Sequence, residues 1–275
     1  MGDFSDWIGK TEERCEVLGL GPAQFMAATM GRDDRFSTHS PLPPLWHWLY
    51  FLEAKPMAAL GRDGHPQKGG FLPPVDLPRR MWAGGRFTFH APLLLGVETL
   101  KRSTVVNVAQ KSGRSGALCF VTVRHELFQG DGLALSEEHD IVYREDPAPD
   151  APAPVAKPAP GGAHVCETVQ PSQVLLFRYS ALTFNGHRIH YDVDYARQTE
   201  GYDGLVFHGP LTATLLVDLA ARDAGKLPKS FSFRGLAPIS GMSAFHIEAD
   251  GVGTQRRLWA RRADGALAMQ AEASF

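Results

Sequence analysis

Between Met81 and Arg144, apolar and polar residues alternate in four runs, roughly 81–90, 97–109, 116–129 and 132–144, broken at Pro92, Ser112-Gly113 and Gly130-Asp131-Gly132. In the third run Leu118, Phe120, Thr122 and Arg124 face one way and Cys119, Val121, Val123 and His125 the other, which suits a sheet with one side buried. Gln129-Gly130-Asp131-Gly132 is a hairpin signature. Upstream, residues 3–31 read as one or two short helices, with Trp7-Ile8 as an apolar start and Gly21-Pro22 ahead of the run Ala23 to Met30. Pro41 to Pro44 lead into a second helix, which Leu45, Trp46, Trp48, Leu49 and Leu52 make apolar over much of its circumference and therefore buried. Residues 61–80 carry too many Gly and Pro for a regular element and predict a long loop, of the kind that forms a lid or a wall of a substrate site. Arg79 and Arg80 close it.

Residues 146–162, rich in Pro and Ala, predict an extended linker. After it the plan repeats. Val174, Leu175, Leu176, Phe177 and Tyr179 predict an opening strand. Asn185, Gly186, His187, Arg188, His190, Asp192 and Asp194 then crowd into ten residues that no core strand would carry, because each polar group buried without a partner costs a few kcal/mol. They predict the lining of a cleft or a wet loop. His208-Gly209-Pro210 opens a helix over Leu211 to Asp223 that Gly225 ends, and strands follow at roughly 230–239, 243–250, 254–262 and 266–274.

Composition narrows the class. With 275 residues, 44% hydrophobic and 21% charged, the chain is an ordinary globular protein with room for a large core. A net charge of −2 argues against a nucleic-acid partner. Cys15, Cys119 and Cys166 lie far apart and read as reduced thiols. The acidic start lacks an apolar leader, and no stretch approaches the ~18 apolar residues of a membrane span, so the expected location is the cytoplasm, away from membranes.

Tyr179-x-x-Leu182-Thr183-x-Asn185-x-x-x-x-His190, with Ala196 six positions further on, resembles the hydratase motif of the MaoC-like hotdog family, in which an Asp stands where this chain has Asn185. The variant is similar to the branch that holds mesaconyl-C4-CoA and itaconyl-CoA hydratases and the 3-hydroxyacyl-thioester dehydratases. The stretch 69–85, GGFLPPVDLPRRMWAGG, resembles that branch too. The resemblance implies an α+β double hotdog: two tandem modules, 1–145 and 163–275 across the linker 146–162, each a long helix wrapped by an antiparallel sheet. It implies a hydro-lyase for acyl-CoA thioesters, with no cofactor and no metal, a catalytic second module and a first module that completes the pocket. The substrate favoured within the branch is itaconyl-CoA or mesaconyl-C4-CoA, hydrated to citramalyl-CoA. The alternatives are a 3-hydroxyacyl-ACP dehydratase of fatty-acid synthesis, a thioesterase, and a thioester-binding protein without activity. Homodimer formation stays open.

Adding water to an enoyl thioester needs donors for the thioester oxygen, a proton-transfer group, and cations for phosphates. Gly209, at a helix start, can offer its N–H to that oxygen, with His208 beside it. His190 is the candidate for proton transfer. Asn185 cannot act as a base; either it orients the water while His190 alone moves protons, or Asp192 or Asp194 replaces the missing carboxylate. His187 and His190 form an HxxH pair that also admits a less favoured metal-ligating reading. Tyr179 belongs to the motif. Arg188, Arg79 and Arg80 are candidates for a second substrate carboxylate, with pairing to Asp192 or Asp194 as the alternative for Arg188. Arg256, Arg257, Arg261 and Arg262 are either a solvated face or contacts to CoA phosphates.

Overall fold

The structure, a computed structural model, describes residues 3–113, 116–146 and 156–275. Its frame is a ten-stranded antiparallel sheet. The first half supplies β1 (Thr11–Val17), α1 (Leu20–Thr29), β2 (Arg79–Phe89), β3 (Glu98–Gly113), β4 (Gly116–Gln129) and β5 (Gly132–Arg144). The second supplies β6 (Val165–Val169), α2 (Gln173–Leu182), α3 (Val193–Gln198), α4 (Gly209–Ala224), β7 (Ser230–Gly235), β8 (Phe245–Asp250), β9 (Gln255–Arg261) and β10 (Leu267–Ser274). The strand order β1-β3-β4-β5-β2-β7-β10-β9-β8-β6 is the same arrangement read inward from either edge, so the two halves are pseudo-equivalent and meet where β2 pairs with β7. This is the double hotdog.

Three expectations need correction. Residues 174–179 are helical, in α2: Ser172 caps the helix by accepting the Leu175 N–H, and Leu176, Tyr179 and Ser180 are buried at helical spacing while Val174 and Phe177 face solvent. β1 lies inside the stretch read as short helices, with charged residues at the sheet edge. The long helix of the first module is reduced to a single 3-10 turn, Trp46–Leu49. Leu45 before it and Phe51 after it adopt positive φ, which halts helix propagation. Side chains hold the chain there instead: His47 Nε2 bonds Glu137 at 2.8 Å, Trp48 Nε1 donates to the same carboxylate, and the Tyr50 hydroxyl donates to the Gly19 carbonyl. Of the linker, 147–155 lie outside the described residues; Pro158 forms a single bridge with Ala266.

α4 fills the second module. Leu211, Leu216, Val217 and Leu219 are buried, each worth roughly 1.5–3 kcal/mol, and Gly225 ends the helix at φ +66°. The buried hydroxyls of Thr212 and Thr214 donate back to the carbonyls of His208 and Pro210. The seam between the halves is aromatic, with Trp48, Trp82, Phe87 and Phe233 in mutual ring contact. Gly84 lets the strands approach there, since a Cβ would lie 2.6 Å from the Phe233 carbonyl oxygen. Gly84→Ala is therefore expected to lower stability by about 1–3 kcal/mol, as denaturant unfolding would measure; an unchanged midpoint would show that the seam yields freely.

Candidate active site

A cleft of about 340 Å³ opens between the halves, against the N-terminus of α4. The motif loop after α2 forms one wall. Asn185 donates its backbone N–H to the Ser180 carbonyl, and its side-chain oxygen accepts the His187 N–H at 3.0 Å. That local turn occupies the amide oxygen and leaves Asn185 on the cleft wall without a base. The chain then makes a short 3-10 turn, Arg188–His190, which puts the His190 ring into the cleft at 7% exposure.

His190 has one well-defined partner: its Nδ1–H donates to the Val206 carbonyl at 2.7 Å. This bond fixes the tautomer and leaves Nε2 with a free lone pair. Burial lowers its pKa to about 4 against the opposing pull of the Val206 bond, so the ring is neutral at pH 7. The ring stacks on His208, centroids 3.6 Å apart, and His208 is the residue before Gly209. The imidazole and the open N–H groups of the α4 N-terminus thus share one cavity, which Gly209 and Pro210 also line. Because protonation blocks Nε2, kcat/KM is expected to hold well below pH 6.5 and to fall only as the pH nears 4. An acid limb at the ordinary histidine value would mean that the ring is solvated.

Several candidates stand elsewhere. His208 and Tyr179 are fully buried behind His190 and do not line the cleft; the His208 Nε2 pairs with the Ser180 hydroxyl at 2.9 Å, and Tyr179 meets the His208 ring edge-on. Asp192 caps α3 by accepting the Tyr195 N–H and pairs with Arg188 at 2.7 Å, so neither Asp192 nor Arg188 faces the cleft. Asp194 is exposed in the first turn of α3. Arg79 reaches the cleft wall, but Asp146 at 3.0 Å and Glu200 at 3.1 Å neutralise it and make it a clamp. Arg256, Arg257, Arg261 and Arg262 are paired with Asp223, Asp250, Glu248 and Asp264. Arg80 differs. It lines the cleft on β2, and no carboxylate pairs with it among the described residues.

The loop 61–80 of the first module supplies what the motif did not reveal. Gly64, at φ +87°, packs directly on Gly186 of the motif loop, where a Cβ would lie 2.0 Å from the Gly186 carbonyl oxygen. The Asp63 carbonyl accepts the Arg188 N–H. Asp63 and His65 are thereby inserted beside His187, with the His65 and His187 rings 4.2 Å apart. Burial lowers both imidazoles, with Asp63 opposing this at His65 and the neighbouring rings adding to it at His187; Arg80 lowers both further. Asp63, His65 and His187 bring donor atoms within 4.8 Å of one another, a set that could hold a divalent cation, although the charge of Arg80 beside them works against a second cation.

Fold and cleft together define a double-hotdog protein with a cleft set against a helix N-terminus. Residues 45–241 match the model of the hydroxyacyl-thioester dehydratase type 2 family. Mesaconyl-C(4)-CoA hydratase of Chloroflexus aurantiacus is 48% identical over 98% of this chain and 96% of its own length. The mitochondrial hydroxyacyl-thioester dehydratase type 2 of Schizosaccharomyces pombe is 28% identical over 72% of this chain and 74% of its own. Among solved structures, HtdX of Mycobacterium tuberculosis superposes with TM-score 0.68 at 15% identity, covering 96% of this chain and 98% of that one. A double-hotdog protein of the same organism gives 0.57 at 15% identity, covering 97% and 96%. The chain belongs to the hydroxyacyl-thioester dehydratase type 2 family, MaoC-like hotdog hydro-lyases. No helix among the described residues is long and apolar enough to cross a membrane.

Proposed function

We propose that this enzyme adds water to the double bond of a branched C5 dicarboxylyl-CoA, mesaconyl-C4-CoA or itaconyl-CoA, to form citramalyl-CoA. The observation that carries the reading is a cleft holding a neutral imidazole with a free Nε2, an open helix N-terminus and, in Arg80, a guanidinium with no carboxylate partner among the described residues. The name of the relative at 48% identity supports the same substrate class.

The Gly209 N–H, with the field of α4 behind it, receives the thioester oxygen as that oxygen gains enolate charge. His190 Nε2 takes a proton from water while the hydroxyl bonds to the β-carbon and the double-bond pair moves toward the oxygen. The imidazolium then returns the proton to the α-carbon, which restores His190 and leaves one water added. Asn185 helps to orient the water. Mesaconyl-C4-CoA suits this course better than itaconyl-CoA, because its double bond is conjugated with the thioester. Arg80 then meets the carboxylate on the β-carbon.

The test is loss of enoyl-thioester absorbance with mesaconyl-C4-CoA and crotonyl-CoA, and chromatographic detection of citramalyl-CoA formed from itaconyl-CoA, beside dehydration of a 3-hydroxyacyl-ACP. Turnover of a dicarboxylyl thioester with crotonyl-CoA far behind is expected. Preference for crotonyl-CoA, or turnover of the ACP substrate alone, would sink the assignment; the second outcome would favour the dehydratase reading that the family description and the fungal relative support.

A further inference from the structure

A water to be split in the cleft has two hydrogens, and His190 takes only one of them. In the family motif a carboxylate stands where this chain has Asn185, whose amide oxygen is already engaged by the His187 N–H. The second acceptor must come from elsewhere in the cavity. Asp192, as described, caps α3 and pairs with Arg188, and Glu200, on the cleft wall, pairs with Arg79. What remains on that wall is His187 and the pair Asp63 and His65, and of these two imidazoles it is His65 whose ring nitrogen is held by a carboxylate.

Asp63 and His65 are held as a unit. The Asp63 carboxylate accepts both the backbone N–H of His65 at 3.0 Å and its ring Nδ1–H at 2.9 Å. The second bond fixes the tautomer of His65, as the Val206 carbonyl fixes that of His190, and again leaves Nε2 as a free acceptor. The His187 ring neighbours both, with centroids 4.2 Å from His65 and 5.5 Å from His190. The contact of Gly64 with Gly186 sets this spacing, because it locks the donating loop onto the motif loop itself.

We propose that His65, oriented by Asp63, is the second catalytic group of the site and stands in for the carboxylate that position 185 lacks. A water between the two rings donates one hydrogen to each Nε2. His190 accepts the proton that leaves, and His65 holds the hydrogen that stays on the hydroxyl and so aims the oxygen at the β-carbon. No net charge passes to His65. Asp63 is a positioning residue that acts through the ring. Burial lowers the pKa of both imidazoles, in keeping with two groups that must stay neutral to accept. The first module then supplies part of the chemistry as well as part of the pocket.

This inference rests on the hydratase reading above, and the experiment separates the two. Turnover of mesaconyl-C4-CoA is measured for His65→Asn, which keeps a donor toward Asp63 but removes the distal acceptor, and for His65→Gln, whose amide oxygen reaches the place of Nε2. The expected result is a kcat about tenfold or more lower for His65→Asn with KM little changed, and a smaller loss for His65→Gln. Asp63→Ala, which frees the ring to turn, also lowers kcat at constant KM. The deciding variant is His65→Asn combined with Asn185→Asp: a carboxylate returned to position 185 recovers most of the lost rate. Equal losses for Asn and Gln at position 65 without recovery by Asn185→Asp would make His65 a structural residue and overturn the proposal, as would wild-type rates for His65→Asn. If His190→Asn keeps wild-type rates too, the hydratase reading itself falls. If only His190→Asn is inactive, this proposal alone falls.

Discussion

His190→Asn is expected to lower kcat by about 10²- to 10⁴-fold, the usual worth of a general acid–base group, while the unfolding midpoint stays near that of the wild type. The asparagine amide can still donate to the Val206 carbonyl, as the Nδ1–H does, so the buried acceptor keeps its partner and folding is spared. What disappears is the free Nε2 and with it the only ring atom of residue 190 that can take a proton from water. KM should move little, because the contacts of the acyl chain and the Gly209 N–H are untouched. Steady-state kinetics beside thermal unfolding checks the expectation. A variant that folds and turns over normally would remove His190 from the chemistry.

The second large effect concerns substrate choice. Arg80→Gln should reduce kcat/KM for mesaconyl-C4-CoA by about 10- to 100-fold, since a charge-assisted bond to a carboxylate is worth roughly 1.5–3 kcal/mol. The slow rate with crotonyl-CoA, which has no such carboxylate, should barely change. Arg79→Gln should behave differently. Arg79 ties Asp146 and Glu200 together, so its loss leaves two carboxylates without their cation and lowers stability rather than selectivity. Equal losses on both substrates for Arg80→Gln would show that the guanidinium does not read the distal group.

Much of the architecture was legible because the central strands obey a period of two with one face buried. β2 to β5 and β7 to β10 fall within a few residues of where alternation predicts them, and α4 is announced by Pro210 and closed by Gly225. The edge strands β1 and β6 escape such a reading. Thr11–Val17 carries charge on both faces, which protects an exposed sheet edge but erases the apolar alternation. α2 reads as a strand because apolar residues crowd its start, and only the Ser172 cap and the spacing of Leu176, Tyr179 and Ser180 reveal the helix. The loss of the first module's long helix depends on contacts between residues 90 apart, such as His47 with Glu137, which no local pattern encodes.

The candidate site was legible in the same uneven way. The resemblance to the MaoC-like motif brings forward His190, Asn185 and Gly209. It cannot rank Arg79, Arg80 and Arg188, because their roles depend on which carboxylates the fold sets beside them. It gave no sign of Asp63 and His65, more than a hundred residues before the motif. The glycine-rich composition around them pointed to a functional loop, and the close fit of Gly64 on Gly186 is the feature that ties that loop to the motif.

The mirrored strand order has a consequence for how such an enzyme diverges. When two identical chains associate, every substitution appears at both centres, and a loop that improves one must suit the other. Once the halves belong to one polypeptide and pair across β2 and β7, that restriction lifts. One half can surrender its helix and its own centre and lend a loop to its sibling, so each polypeptide should carry a single turnover centre and bind one equivalent of product in a calorimetric titration.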